Sequence, residues 1–109
     1  SADAAYVFYG LRFEIAEDQI EALEERADRR VLAARKAGLQ VFWGNFGGMG
    51  SRYLLFNGRK IAALGPEDEF ETVIPQSDLT EIIEQTGETL RAAGFGEKPS
   101  LYCQWYPDV

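Results

Sequence analysis

Hydrophobic and polar residues alternate along the beginning of the chain. Within residues 6–15 the apolar side chains occupy every odd position, namely Val7, Tyr9, Leu11, Phe13 and Ile15. Arg12 and Glu14 occupy even positions, so the pattern predicts a strand with its odd face buried. Tyr6 and Phe8 are also at even positions, which indicates that the second face of this strand is partly covered as well.

Two segments show the periodicity of amphipathic helices. Residues 17–37 carry apolar side chains at spacings of three and four, which predicts one long helix that ends before Gly38. A second helix is predicted after residue 78 and ends before Gly94. Asp78 and Glu81 have the spacing of a capping box at its beginning.

The remaining apolar segments predict strands at residues 39–46, 52–56, 59–64, 69–75 and 100–106. The dipeptide Asn57-Gly58 predicts a two-residue hairpin, because a type I′ turn requires positive φ at both of its central residues. Pro75 ends the fourth of these strands, since proline cannot donate to a ladder.

These elements predict a single α+β domain over residues 1–109. The economical arrangement is a two-layer sandwich, with a mainly antiparallel sheet of five to six strands and two helices on one face. A ferredoxin-like order with an inserted hairpin is the topology that we predict.

The chain is acidic, with a formal net charge of −7, and its charge is unevenly distributed. Residues 61–90 contain eight carboxylates and neither lysine nor arginine. Such a surface repels phosphate backbones and anionic lipids, so we expect no nucleic-acid partner and no membrane partner. No apolar run approaches the ~20 residues of a membrane-spanning helix, which predicts a soluble protein.

Two residue counts restrict the chemistry. The chain has no histidine, which removes serine–histidine and cysteine–histidine pairs and argues against an enzyme. The single cysteine, Cys103, excludes an internal disulfide and favours a cytoplasmic location. Its odd position between Leu101 and Trp105 predicts a buried, inert thiol.

Carboxylates alone can perform acid–base catalysis, so a histidine-free enzyme stays as an alternative. Acidic residues gather in the first predicted helix and in the segment PEDEFE, residues 66–71. Neither group has the spacing of a calcium loop, so we expect solvated faces, no metal and no cofactor.

The segment GNFGGMGSRY, residues 44–53, raises the question of a phosphate-binding loop. Such loops aim backbone N–H groups at an anion and usually lead into a helix, whereas a strand is predicted here. A flexible connection is therefore the preferred interpretation. A regulatory domain that binds an anion or small molecule is the alternative, with a candidate site formed by Gly47, Gly48, Gly50, Ser51 and Arg52.

Aromatic residues make up 13% of the chain, and most lie on or beside predicted strands. If both helices cover one face of the sheet, some of these rings must lie on the other face, where aromatic groups mark binding surfaces. We predict a protein-binding aromatic patch formed by Tyr6, Phe8, Tyr102 and Tyr106, all at even positions. The alternative is that a second packed layer or a second copy of the chain covers these rings. The predicted function is a non-enzymatic protein–protein interaction module of the inhibitor, immunity or adaptor type, with another protein or a second copy as partner.

Overall fold

The computed structural model describes residues 3–107, which form four strands and three helices. In chain order these are β1 (Ala4–Glu14), α1 (Glu17–Glu24), α2 (Arg29–Lys36), β2 (Gln40–Asn45), β3 (Tyr53–Leu64), α3 (Gln76–Ala92) and β4 (Ser100–Tyr106). The strands form one sheet in the order β2-β3-β1-β4, and every neighbouring pair is antiparallel. The predicted α+β class with an antiparallel sheet is confirmed.

The prediction of five to six strands is wrong, partly because β3 is one strand where two were expected. β3 runs without a turn through Asn57 and Gly58, and Gly58 pairs with Gly10 of β1 and with Gln40 of β2. Asn57 is fully buried, and its Nδ2 donates to the Arg30 carbonyl of α2 at 3.2 Å. Pairing on both sides and this contact outweigh the local preference of Asn-Gly for a turn.

The strand predicted over residues 69–75 is also absent from the described chain. In residues 3–107 a single bridge, between Leu64 and Glu69, connects this segment to the sheet. Phe70 is 90% exposed and Val73 is 81% exposed, so the apolar positions of the segment do not form a buried face.

The long helix predicted over residues 17–37 is two helices separated by residues 25–28. Arg26 has φ of 59°, and the N–H groups of Arg26 and Ala27 donate to the carbonyls of Leu23 and Ala22. This is the hydrogen-bond pattern of a Schellman motif, with arginine where glycine is usual. The break was missed because the sequence carries no glycine at this position.

The glycine signals at the other two helix ends are confirmed. Gly38 follows α2 with φ of 82°, and Gly94 follows α3 with φ of 97°. The predicted beginning of the last helix is wrong, since α3 begins at Gln76 after Pro75 rather than after Asp78.

The helices lie over one face of the sheet. Leu23 of α1 and Val31 of α2 pack with Ile15 and Leu55 in a buried cluster. α3 packs against β1 and β3 and lies beside α2, and Phe95 after it contacts the Phe13 ring of β1. We refer to this side of the sheet as the helix face.

Asp28 caps α2 and provides a test of the helix break. Its buried carboxylate accepts the Arg30 and Val31 N–H groups at 2.8 and 3.4 Å and pairs with the Arg30 guanidinium at 2.9 Å. The hydrogen bond from the Arg30 side chain is the largest contribution to holding the pKa of Asp28 below its usual value; burial opposes it. The stabilisation is therefore complete above the unfolded pKa of about 3.9 and is lost as the pH falls through the lower folded value.

We expect Asp28→Ala to lower the free energy of unfolding by about 1–2 kcal/mol at pH 7. Urea unfolding at pH 7 and at pH 3 measures the difference, which should shrink at the lower pH. Asp78→Ala is the control, because Asp78 lies within the first turn of α3 rather than at its N-cap. An equal loss in both variants, or a loss for Asp28→Ala that does not change with pH, would contradict the assigned cap.

Candidate functional site

A second cluster, which we call the aromatic cluster, lies on the face of the sheet opposite the helix face. Leu54 and Leu55 are neighbours on β3, and Leu54 belongs to the aromatic cluster while Leu55 packs with the helices. All members come from the strands or from Phe46, which follows β2: Phe8, Phe46, Leu54 and Phe56 are buried, and Tyr6, Phe42, Tyr102 and Tyr106 are partly buried around them. We call the four partly buried residues the rim.

Ring-to-ring contacts hold the aromatic cluster together. Phe42 stacks on Phe56 with centroids 4.7 Å apart, and Phe8 meets both rings edge to face at 5.2 and 5.4 Å. Offset-stacked and edge-to-face pairs are the arrangements that aromatic quadrupoles favour. The cluster is therefore a core in its own right, formed without a covering helix from residues 3–107.

The sheet curves strongly around this cluster. β2 and β4 are the outer strands, which in a flat sheet lie about 14 Å apart. Nevertheless the rings of Phe46 and Tyr106 stack with their centroids 4.5 Å apart, and a Cβ on Gly44 would lie 3.0 Å from Tyr106 Oη. The outer strands thus bend toward each other, and the rim surrounds a concave surface.

Two cations lie on the rim. Lys60 Nζ is 4.7 Å from the centroid of the Tyr6 ring, and the Arg12 guanidinium carbon is 4.7 Å from that of Tyr102. Arg12 Nη1 also donates to Gln104 Oε1 at 2.7 Å. In a chain of net charge −7, this surface combines aromatic rings with two cations, and the carboxylate of Asp68 also lies near Tyr6.

Tyr6 stays protonated across the neutral range. Burial raises the pKa of its hydroxyl above the usual value, and the nearby Tyr106 and Asp68 raise it further. The hydroxyl therefore remains a hydrogen-bond donor on the rim.

A small cavity lies beside the rim at the free edge of β2. It has a volume of about 300 Å³ and is lined by Tyr6, Phe42, Trp43, Lys60 and Tyr106, with Gln40 and Val41. This volume is at the lower end of the range for small-molecule sites.

The four residues of the predicted aromatic patch lie together, but they are not equivalent. Tyr6 and Tyr106 are in contact, with centroids 5.7 Å apart, and Tyr102 meets Phe56 at 6.0 Å. Phe8 is 0% exposed and lies beneath the other rings. Its role in the described structure is packing, so a substitution of Phe8 reports on stability before it reports on binding.

Sequence reasoning missed three residues of this surface: Arg12, Phe42 and Lys60. The parity of β1 places Arg12 on the same face as Tyr6 and Phe8, so its position was available from the pattern. Lys60 was obscured because a hairpin was predicted before it, and a bulge in the pairing of β1 with β3 lies next to it. Phe42 lies opposite Phe56 in the pairing of β2 with β3, and no local pattern indicates this register.

Several polar groups of the glycine-rich loop, residues 44–53, form hydrogen bonds or a salt bridge within the protein. The N–H groups of Gly47 and Arg52 both donate to Asn45 Oδ1 at 3.0 Å, and the Gly50 N–H donates to the Gly47 carbonyl. The Arg52 guanidinium pairs with Glu14 at 2.9 Å in an exposed salt bridge. These contacts occupy the N–H groups of Gly47, Gly50 and Arg52 and the Arg52 guanidinium, which are part of the predicted anion site.

The thiol prediction is wrong: Cys103 is exposed. It lies on the helix-face side of β4, opposite Val7 of β1. Among residues 3–107, no three aspartate, glutamate or cysteine side chains are grouped as metal ligands.

Comparison of the chain with known proteins adds no functional assignment. Among residues 3–107, no helix has the length and apolar character needed to cross a lipid bilayer. No protein-family model, curated protein or solved structure matches the chain.

Proposed function

We propose that this chain is a protein-binding domain of the inhibitor or adaptor type that contacts its partner through the rim of the aromatic cluster. The supporting observation is the placement of the Lys60 and Arg12 cations over the partly exposed rings of Tyr6 and Tyr102. Tyrosine rings provide large contact areas at low conformational-entropy cost, and arginine and tyrosine are frequent hot spots of interfaces.

The charge of the rim indicates what the partner presents. A concave aromatic surface bordered by two cations accepts an apolar side chain flanked by carboxylates, because the cations attract the carboxylates and discriminate against basic segments.

We also propose a ferredoxin-like topology for the domain. The strand order β2-β3-β1-β4, with helices between β1 and β2 and between β3 and β4, supports it.

A photocrosslinking experiment tests the proposed interface. Tyr102 is replaced by p-benzoylphenylalanine, and the purified chain is irradiated in lysate of the source organism. We expect one covalent adduct of defined mass. The control carries the same amino acid at Leu32, which is 53% exposed on α2, and should give no such adduct.

A charge reversal tests the chemistry of the partner. Lys60→Glu should weaken capture of the crosslinked protein by about tenfold or more, whereas Lys36→Glu on α2 makes the same charge change away from the rim and should leave it unchanged. Equal crosslinking at Tyr102 and Leu32, or equal capture by the two lysine variants, would overturn the proposed interface.

A small-molecule function is the second candidate, because the cavity of about 300 Å³ beside the rim combines aromatic walls with Lys60. A small aromatic carboxylate suits this lining. If such a ligand binds, an indole or phenyl carboxylate should raise the midpoint of thermal unfolding in the unmodified chain and not in Lys60→Glu.

A further inference from the structure

The outer edge of β4 is available for strand pairing. β4 is the last strand of the sheet and pairs with β1 alone within residues 3–107. Edge strands present a row of N–H and C=O groups that another strand can pair with, and proteins usually protect them with charged side chains. The sequence of β4, SLYCQWY, contains no charged residue.

The helix-face side of β4 adds an exposed apolar row to this edge. Leu101 is 48% exposed, Trp105 is 51% exposed and Cys103 between them is exposed as well. α2 packs mainly against β2 and β3, and α3 mainly against β1 and β3, so the helix layer leaves these β4 side chains about half exposed. The row is left uncovered beside an unpaired backbone edge.

The other edge strand, β2, also lacks a charged residue, but its side chains on the helix face are covered. Val41 and Trp43 are partly buried against the cluster that contains Val31 of α2. A partner strand gains less apolar burial there than at β4.

The sequence of the β4 edge is matched to a second copy of itself. In an antiparallel pair centred on Cys103, this residue faces its counterpart, and Leu101 faces Trp105 of the other copy on both sides of the centre. Pro99 and Pro107 lack an N–H and delimit the edge symmetrically, four residues before and after Cys103. The pairing brings no charged side chain of β4 near another, although each chain carries a net charge of −7.

We propose that two copies of this chain associate through β4, antiparallel and in register at Cys103, to form one continuous eight-stranded sheet. The pairing places each Trp105 against Leu101 of the other copy on the helix face and closes with two-fold symmetry. An association of β4 with β2 of another copy would instead be open-ended. The proposal does not rest on the proposed function. Tyr102 and Tyr106 of the rim also belong to β4, but they lie on its other face, so substitutions of Leu101 and Trp105 change the paired row and not the rim.

Crosslinking at Cys103 tests the register. Opposite residues of an antiparallel pair have Cβ atoms about 5 Å apart, so a short bis-maleimide can bridge the two thiols by one addition at each end. Because Cys103 is the chain's single cysteine, a covalent dimer identifies this contact directly. We expect a high yield in native buffer, loss of the dimer in urea, and a particle of twice 12.2 kDa by light scattering without crosslinker.

Charged substitutions test whether the apolar row of β4 forms the dimer interface. Trp105→Lys and Leu101→Lys each place two lysines in the paired row and should raise the dimer dissociation constant by about tenfold or more. Leu32→Lys makes a comparable change at a half-exposed residue of α2 and should leave it unchanged, and far-UV circular dichroism verifies folding of all three. A monomer at every concentration, a dimer unaffected by both β4 variants, or a dimer that fails to crosslink at Cys103 would each overturn the proposal.

Discussion

Replacing Gly58 with alanine is expected to cost about 3 kcal/mol or more of folding free energy, enough to unfold a large fraction of a marginally stable domain. Gly58 has φ of 152°, a conformation that side chains rarely adopt. A Cβ at this position would lie 2.3 Å from the Tyr9 carbonyl oxygen and 2.8 Å from Gly10 Cα. Both neighbours are backbone atoms of the paired strand, so neither can move without disrupting β1.

Gly10 faces Gly58 across the two central strands and should behave in the same way. Its φ is 154°, and a Cβ there would lie 2.2 Å from the Asn57 carbonyl oxygen. The two glycines allow β1 and β3 to approach closely in the middle of the sheet, where a side chain on either strand would hold them apart.

Urea unfolding followed by far-UV circular dichroism measures these effects, and Gly87→Ala provides a control of opposite sign. Gly87 lies within α3, where a Cβ meets only Arg91 Nη1 at 3.7 Å. Alanine is favoured over glycine inside a helix, so Gly87→Ala should stabilise the domain by about 0.5–1 kcal/mol. A Gly58→Ala variant as stable as the unmodified chain would disprove the close approach of the strands.

Phe56→Ala is expected to destabilise the domain by about 3–5 kcal/mol, because it removes the central ring of the aromatic cluster and leaves a cavity. Phe56 is 0% exposed and contacts four other rings, those of Phe8, Phe42, Phe46 and Tyr102. These rings come from all three other strands: Phe8 from β1, Phe42 from β2 and Tyr102 from β4, while Phe46 directly follows β2. Loss of the Phe56 ring therefore affects the whole curved sheet.

Phe70→Ala is the matched control, since the same atoms are removed from a side chain that is 90% exposed. Its free energy of unfolding should change by less than about 0.5 kcal/mol. Similar losses in Phe56→Ala and Phe70→Ala would contradict the assignment of the aromatic cluster as a core.

The aromatic cluster is a core whose rim is also the proposed binding surface, and this affects how binding is tested. Phe8 and Phe56 hold the sheet together, whereas Tyr6 and Tyr102 are partly exposed. Substitutions at the buried rings would reduce binding through unfolding alone. Experiments at Tyr102 and Lys60 separate the two effects, because Tyr102 belongs to the rim and Lys60 lies over the rim residue Tyr6.

Local sequence patterns correctly predicted β1 and two helix ends, because these features depend on residues that are close together in the chain. The alternation of residues 6–15 predicted β1, and the glycines at positions 38 and 94 predicted two helix ends that the structure confirms. The parity of β1 also placed Tyr6 and Phe8 on one face. These signals are reliable because a strand or helix end is determined by residues within a few positions of it.

Other features depend on residues far apart in the chain. Asn57-Gly58 is a strong local signal for a turn, yet β1 and β2 pair on either side of it and keep it within a strand. The helix break at Arg26 has no glycine to mark it, and it is defined by Asp28 capping and by the packing of α1 and α2 on the sheet.

The sequence by itself determined the α+β class, most strand and helix positions, the acidic charge and the absence of histidine chemistry. The tertiary structure alone decided which rings are buried, that Lys60 and Arg12 lie over Tyr6 and Tyr102, and that Cys103 is exposed on an edge. The physical reason is that burial and cross-strand contacts depend on strand order and sheet curvature. These arise from pairings between residues such as Gly10 and Gly58, 48 positions apart, and such pairings override the local preference of Asn57-Gly58 for a turn.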